Sequence, residues 1–189
     1  MSYAISEWVS LGEIYMPARR ALESIRNAKV ESLVRGTYHA TLFHDVASIN
    51  RGLGQVEQTR DLFKAIAGVD RGVAGKYFPI ALESLVQTKE FGLARSFMPD
   101  PRKEIDQFAT PFKFAPQLMG SVSQEVLEEA LITSYVKRVI LILRVFIGVG
   151  EEDVSNHLRN YALQCVPDAQ FRDKITERLY SSPPSTGIQ

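Results

Sequence analysis

Apolar residues recur along this chain at spacings of three and four, and sustained alternation is almost absent. That periodicity predicts helices and gives no reason to expect a sheet. A short helix is expected around Ser6 to Tyr15. Pro17 suits the first turn of a second, whose stripe is Ala18, Ala21, Leu22, Ile25 and Ala28, with Gly36 as the stop. A third puts Tyr38, Leu42, Val46, Ile49 and Leu53 on one face and breaks at Gly52 and Gly54. A fourth turns Val56, Leu62, Phe63 and Ile66 inward and Glu57, Arg60, Asp61 and Lys64 outward. Gly68, Gly72 and Gly75 are expected to loosen the next join. Pro79 then opens or kinks a helix carrying Leu82, Leu85 and Val86.

Beyond a turn near Lys89, a short helix carries Leu93, Ala94, Phe97 and Met98. Asp100 caps the next and Pro101 begins it, with Ile105 and Phe108 as its apolar side. Residues 111–120, which include Pro111, Pro116 and Gly120, form the least regular stretch. Ser121 or Ser123 then caps the longest helix, reaching about Ile147 on a stripe of Leu127, Leu131, Tyr135, Val139, Leu143 and Phe146. Glu125, Glu128 and Glu129 near its start, and Lys137, Arg138 and Arg144 later, suit the helix dipole. Gly148 and Gly150 end it. Val154, Leu158, Tyr161 and Cys165 stripe the following helix, which makes Cys165 a buried thiol. Pro167-Asp168 caps a last helix with Phe171, Ile175 and Leu179 inward.

Short connections make successive helices antiparallel neighbours. The expected fold class is therefore all-α: stacked antiparallel helical hairpins, an α-α superhelix or helical-repeat-like array. Residues 1–180 are expected to form a single all-helical domain with a possible sub-boundary at 111–120, and 181–189 a mobile tail.

Composition adds exclusions. The 189 residues carry 22 Lys+Arg against 22 Asp+Glu, a formal net charge of zero. The chain thus lacks the basic excess of a nucleic-acid binder. An apolar share of 45% sets it apart from disordered chains. The most hydrophobic stretch, Val139 to Val149, contains Arg144 and is too short for a membrane span, which needs about 20 apolar residues. Cys165 is the single cysteine, so no intramolecular disulfide forms. With no basic, apolar leader at the start, a soluble protein of the reducing cytoplasm is expected.

Two segments look alike. Glu31-Ser32-Leu33-Val34 is followed by Gly36, Tyr38 and Thr41; Glu83-Ser84-Leu85-Val86 is followed by Lys89, Phe91 and Ala94. Each reads as a helix, a turn, an aromatic and then a small residue, a pattern that lets two helices approach with the aromatic filling the gap. Phe91 with Ala94, and Gly36 with Tyr38, resemble positions of the tetratricopeptide repeat. Lys89 replaces its usual glycine, Thr41 its usual alanine, and the copies stand 52 positions apart (31 to 83), off the family's period of about 34. The resemblance covers about half the chain and implies helical hairpins that present a groove to a protein or peptide. A second resemblance, of Gly36 to Thr41 and Asp45 to Ala47, is to the helix-turn-helix of tetracycline-repressor-like regulators. It implies a DNA-binding, ligand-responsive protein, but Gln55 to Thr59 hold no base where the recognition helix should begin.

Local chemistry is sparse. Arg51-Gly52-Leu53-Gly54 lacks the Lys-Ser/Thr of a phosphate loop. His39 and His44 fall on different helix faces, and His157 is remote from both, so no metal pair forms. Glu128-Glu129 and Glu151-Glu152 are consecutive and point apart, as helix-start charges do. His44, Ser48 and Arg51 share one face at i, i+4 and i+7 and are the candidate partner-binding residues, with Arg51 offering a charge-assisted hydrogen bond. A diffuse basic set, Arg19, Arg20, Arg26, Lys29 and Arg35, faces Glu23 and Glu31. The first expectation is a non-enzymatic interaction or scaffold module that takes a partner protein or peptide in a helical groove, with no catalytic residues, no metal and no cofactor. The alternatives are the helix-turn-helix regulator and an all-helical protein holding a small molecule between helices.

Overall fold

Helix ends are where local sequence speaks most clearly, and four of them share one geometry. Gly36, Gly54, Lys89 and Gly150 all take left-handed backbone, with φ of 91°, 69°, 61° and 80°. At Gly36 the amides of Gly36 and Thr37 donate back to the carbonyls of Leu33 and Ser32; at Lys89 the amides of Lys89 and Glu90 donate to Val86 and Leu85. Both are the double-bonded helix terminator usually built on glycine. The two look-alike segments therefore stop their helices identically, and Lys89 does so although its Cβ makes that conformation costlier.

The computed structural model describes residues 3–114 and 123–181. Among these the protein is all-α, with ten helices and no strand: α1 (Tyr3–Ile14), α2 (Met16–Val34), α3 (Ala40–Gly52), α4 (Val56–Val69), α5 (Arg71–Gln87), α6 (Phe91–Ser96), α7 (Pro101–Phe114), α8 (Gln124–Gly148), α9 (Glu152–Gln164) and α10 (Ala169–Ser181). Short connections join helices that pack on one another, as in stacked hairpins. The chain divides into two compact units, Met1–Glu90 and Phe91–Gln189. Of the expected sub-boundary at 111–120, residues 111–114 continue α7 and 115–120 lie outside the described residues. Of the expected tail, Ser181 closes α10 and 182–189 lie outside them as well.

In the amino-terminal unit, α1 packs on α2 and α3, α2 on α3, and α4 on α5. The core holds Leu22, Leu33, Phe43, Val46, Ile49, Phe63, Ile66, Tyr77, Phe78 and Leu85. Phe43 stacks on Tyr77 with ring centroids 4.7 Å apart. Two expectations change here. Gly72 and Gly75 do not loosen a join: α5 starts at Arg71, capped by Asp70, whose Oδ1 accepts the Val73 amide at 2.9 Å, and runs on through Pro79. In α2 the inward stripe is Ala18, Leu22, Arg26 and Leu33, whereas Ile25 and Ala28 face outward.

In the carboxy-terminal unit α8 is the scaffold, packed by α6, α7, α9 and α10. From Ile142 to Phe146 it is covered on nearly every side, which only an almost wholly apolar run can accept. Tyr135 meets Phe112 edge-on at 5.2 Å and donates its hydroxyl to the buried Ala162 carbonyl at 2.7 Å. Asp100 and Asp168 cap α7 and α10 by accepting the amides of Lys103 and Phe171. The Phe91 aromatic packs on Gly148: a Cβ there would lie 2.2 Å from two Phe91 ring carbons. Alanine for glycine within a helix ordinarily gains up to about 1 kcal/mol. Here the clash reverses the sign, and Gly148→Ala is expected to destabilise by about 1–3 kcal/mol. Urea denaturation reads the change, and Phe91→Leu in the same chain should recover part of it.

Candidate interaction surface

The face of α1 that meets the protein carries Ile5, Val9 and Gly12. A Cβ on Gly12 would lie 3.3 Å from the Arg19 Cα, and one on Gly52 would lie 2.5 Å from a Val9 methyl. Those close approaches seat α1 on α2 and α3. They leave a second apolar face uncovered, because a helix so rich in apolar residues cannot bury all of them against two neighbours. Trp8 is 44% exposed, Ile14 is 85% exposed, and Leu11, Tyr15 and Met16 are also exposed. Beside this strip a groove of about 190 Å³ is lined by Ile5, Trp8, Leu22, Ile25 and Ile49, with Lys29 and Asp45 at its polar edge. The Lys29 ammonium donates to Asp45 at 2.8 Å, so that edge is internally neutralised. The volume suits one or two inserted side chains and falls below the roughly 300–1,000 Å³ of small-molecule sites.

The three sequence-predicted partner residues do not form a shared exposed row. His44 is exposed, its ring nitrogen 3.8 Å from an Asp45 carboxylate oxygen. Ser48 is only 2% exposed. Arg51 is half-exposed and pairs at 2.9 Å with Glu83, so its charge is already satisfied within the unit. The three stand at i, i+4 and i+7 of α3, and α5, which packs against α3, covers part of that helix.

Arg26, assigned from sequence to the diffuse basic set, is 7% exposed. Its guanidinium donates to Asn27 Oδ1 at 3.0 Å, to Asn50 Oδ1 at 3.2 Å and to Gln55 Oε1. Asn50, fully buried, in turn donates to Thr59 at 3.0 Å. No carboxylate pairs with Arg26 among the described residues. This amide cage ties α2 to α3 and to the start of α4. Its signal in the sequence was position: Arg26 stands four residues after Leu22 and seven before Leu33, on the inward stripe.

Cys165 is half-buried, not the plain core thiol expected. The inward face of α9 is Ser155, Leu158 and Ala162, with Val154 exposed. The Cys165 thiol lies 3.3 Å from Asp106 Oδ1, which also accepts the Tyr161 hydroxyl at 2.8 Å. Burial first, and then this hydrogen bond, push the Cys165 thiol up to about 11. The bond to Asp106 raises the Tyr161 phenol too. The thiolate is the reacting form. A rise from 9.0 to about 11 keeps the thiol protonated at pH 8. Iodoacetamide should therefore label native protein about a hundredfold more slowly than urea-unfolded protein at that pH. Native labelling at the unfolded rate would mean that neither burial nor Asp106 keeps the thiol protonated.

Among the described residues no group of three or more His, Cys, Asp or Glu stands close enough to hold a metal, and no helix is long and apolar enough to cross a membrane. Compared with known proteins, the chain matches no family model, no curated protein and no solved structure.

Proposed function

We propose that this chain is a non-enzymatic interaction module that receives a helix of a partner protein on its amino-terminal helices. The observation that carries this reading is the apolar strip of Trp8, Leu11, Ile14, Tyr15 and Met16 beside a groove sized for inserted side chains. Contiguous exposed apolar surface of this kind marks contact sites on soluble proteins, and helix-in-groove docking uses such anchors at helical spacing. The site thus moves from His44, Ser48 and Arg51 to α1 and the adjoining face of α2. The repressor-like alternative fares worse: Arg60 and Lys64, bases on the helix that would read DNA, pair with Asp61 and Glu90. Kinship with tetratricopeptide repeats has as support the shared terminators at Gly36 and Lys89 and the buried Ala94. In the first copy Thr41 is exposed and Tyr38 is 38% exposed. A single cysteine, with no second one to pair with, suits a reducing cytoplasm.

Affinity purification from the native cell, with wild type beside Trp8→Glu, tests the reading. A co-eluting protein is expected with wild type and lost with the variant, while the helix content read by circular dichroism stays that of wild type, which shows that the variant is folded. Equal capture by both chains would remove α1 from any binding role.

A further inference from the structure

The exposed apolar residues of α1 form a surface that matches itself. The Tyr15 amide donates to the Leu11 carbonyl at 2.8 Å, so helical spacing carries one residue past the end of α1. Trp8, Leu11 and Tyr15 then follow at intervals of three and four, the seam along which two helices pack. Glu7 and Ile14 lie along one edge of that seam, and Glu13 falls on the opposite side of the helix. Counted from Leu11, Trp8 and Ile14 stand three residues to either side, and Glu7 and Tyr15 four.

We propose that the helix received here is α1 of a second copy of this chain, running antiparallel about a two-fold axis at Leu11. The proposal rests on the interaction reading above and names its partner. An antiparallel pair sets Leu11 on Leu11, Trp8 beside the partner's Ile14 and Tyr15, and Glu7 opposite the partner's Tyr15, whose hydroxyl is a donor for it. Among the described residues, neither Glu7 nor the Tyr15 hydroxyl has a hydrogen-bond partner in its own chain. Charge does not oppose the pairing. The two Glu7 carboxylates stand eight residues apart along the pair, about 12 Å and beyond the Debye length at physiological salt. A formal net charge of zero leaves the copies without long-range repulsion. The area is of the right size as well. Trp8, Leu11, Ile14, Tyr15, Met16 and Ile25 are 42–85% exposed. Side chains of this size then leave on the order of 600 Å² of apolar surface uncovered. With a polar rim, that approaches the roughly 800 Å² per partner of a stable interface.

Sedimentation equilibrium of the full chain over a range of concentrations reads the assembly. Trp8, the one tryptophan of the chain, reports on the surface itself. A monomer–dimer equilibrium in the micromolar range is expected, with Trp8 emission moving to the blue as the dimer forms. Leu11→Glu and Leu11→Lys each set like charges face to face on the axis. Both are expected to stay monomeric over the same range with the helix content of wild type, because Leu11 is 45% exposed. Mixed in equal amounts, the two variants are expected to restore the dimer as a heterodimer, as follows from Leu11 meeting Leu11. A chain that is monomeric at every concentration would overturn the second copy as occupant. The interaction reading would then stand or fall by the affinity purification with Trp8→Glu. A dimer that survives both variants, or monomeric variants that do not rescue each other, would overturn the pairing at Leu11. A blue shift of Trp8 on lipid vesicles, from a chain that remains monomeric, would assign the surface to a membrane and overturn it too.

Discussion

Phe43→Ala is expected to destabilise the amino-terminal unit by about 3–5 kcal/mol, the largest loss foreseen for a single side chain here. Phe43 is fully buried in the first turn of α3 and lies flat on Tyr77, 4.7 Å between centroids and 6° between planes. Truncation removes the transfer energy of a whole ring and the aromatic contact, itself about 0.5–1.5 kcal/mol, and leaves a hole that two packed helices cannot close. Thermal and urea melts followed by circular dichroism check it. Phe43→Leu should recover more than half, because it restores most of the volume. A melt of Phe43→Ala indistinguishable from wild type would refute the placement of α3 against α5.

Leu143→Ala should cost about 2–5 kcal/mol, and Leu131→Ala about 1 kcal/mol. Both lie on the stripe expected for the longest helix, and their difference is a tertiary effect. Leu143 is 2% exposed within the stretch of α8 that other helices surround. Leu131 is half-buried, and its neighbour Ile132 is fully buried in its place. Leu131 lies four residues before Tyr135 and Ile132 three before it, so helical spacing admits either as the inward residue. Equal losses from the two variants would mean that α8 is covered evenly along its length.

The same division runs through the surface. Arg51 looked available on its helix face, yet Glu83 of α5, more than thirty positions onward, takes its charge. Ser48 was polar and at the right spacing, yet it is buried. In the other direction, Trp8 and Leu11 were legible as apolar residues of a short helix. Nothing within α1 says that its neighbours cover Ile5, Val9 and Gly12 and leave Trp8, Leu11 and Ile14 open. Phe91 likewise was identified as a gap-filling aromatic, and the gap it fills is the missing side chain of Gly148 on a helix far along the chain.

By itself the sequence determined the all-helical class and most helix ends. Those signals act within a turn or two of backbone: apolar spacing of three and four, the caps at Asp100 and Asp168, and left-handed stops at Gly36, Gly54 and Gly150. Only the tertiary structure decided which stripe faces inward, that Arg26 sits in an amide cage, that Arg51 is spent on Glu83 and that α1 keeps an apolar face to itself. Burial and charge pairing depend on which neighbours arrive, and here those neighbours come from positions too distant for any local pattern to record.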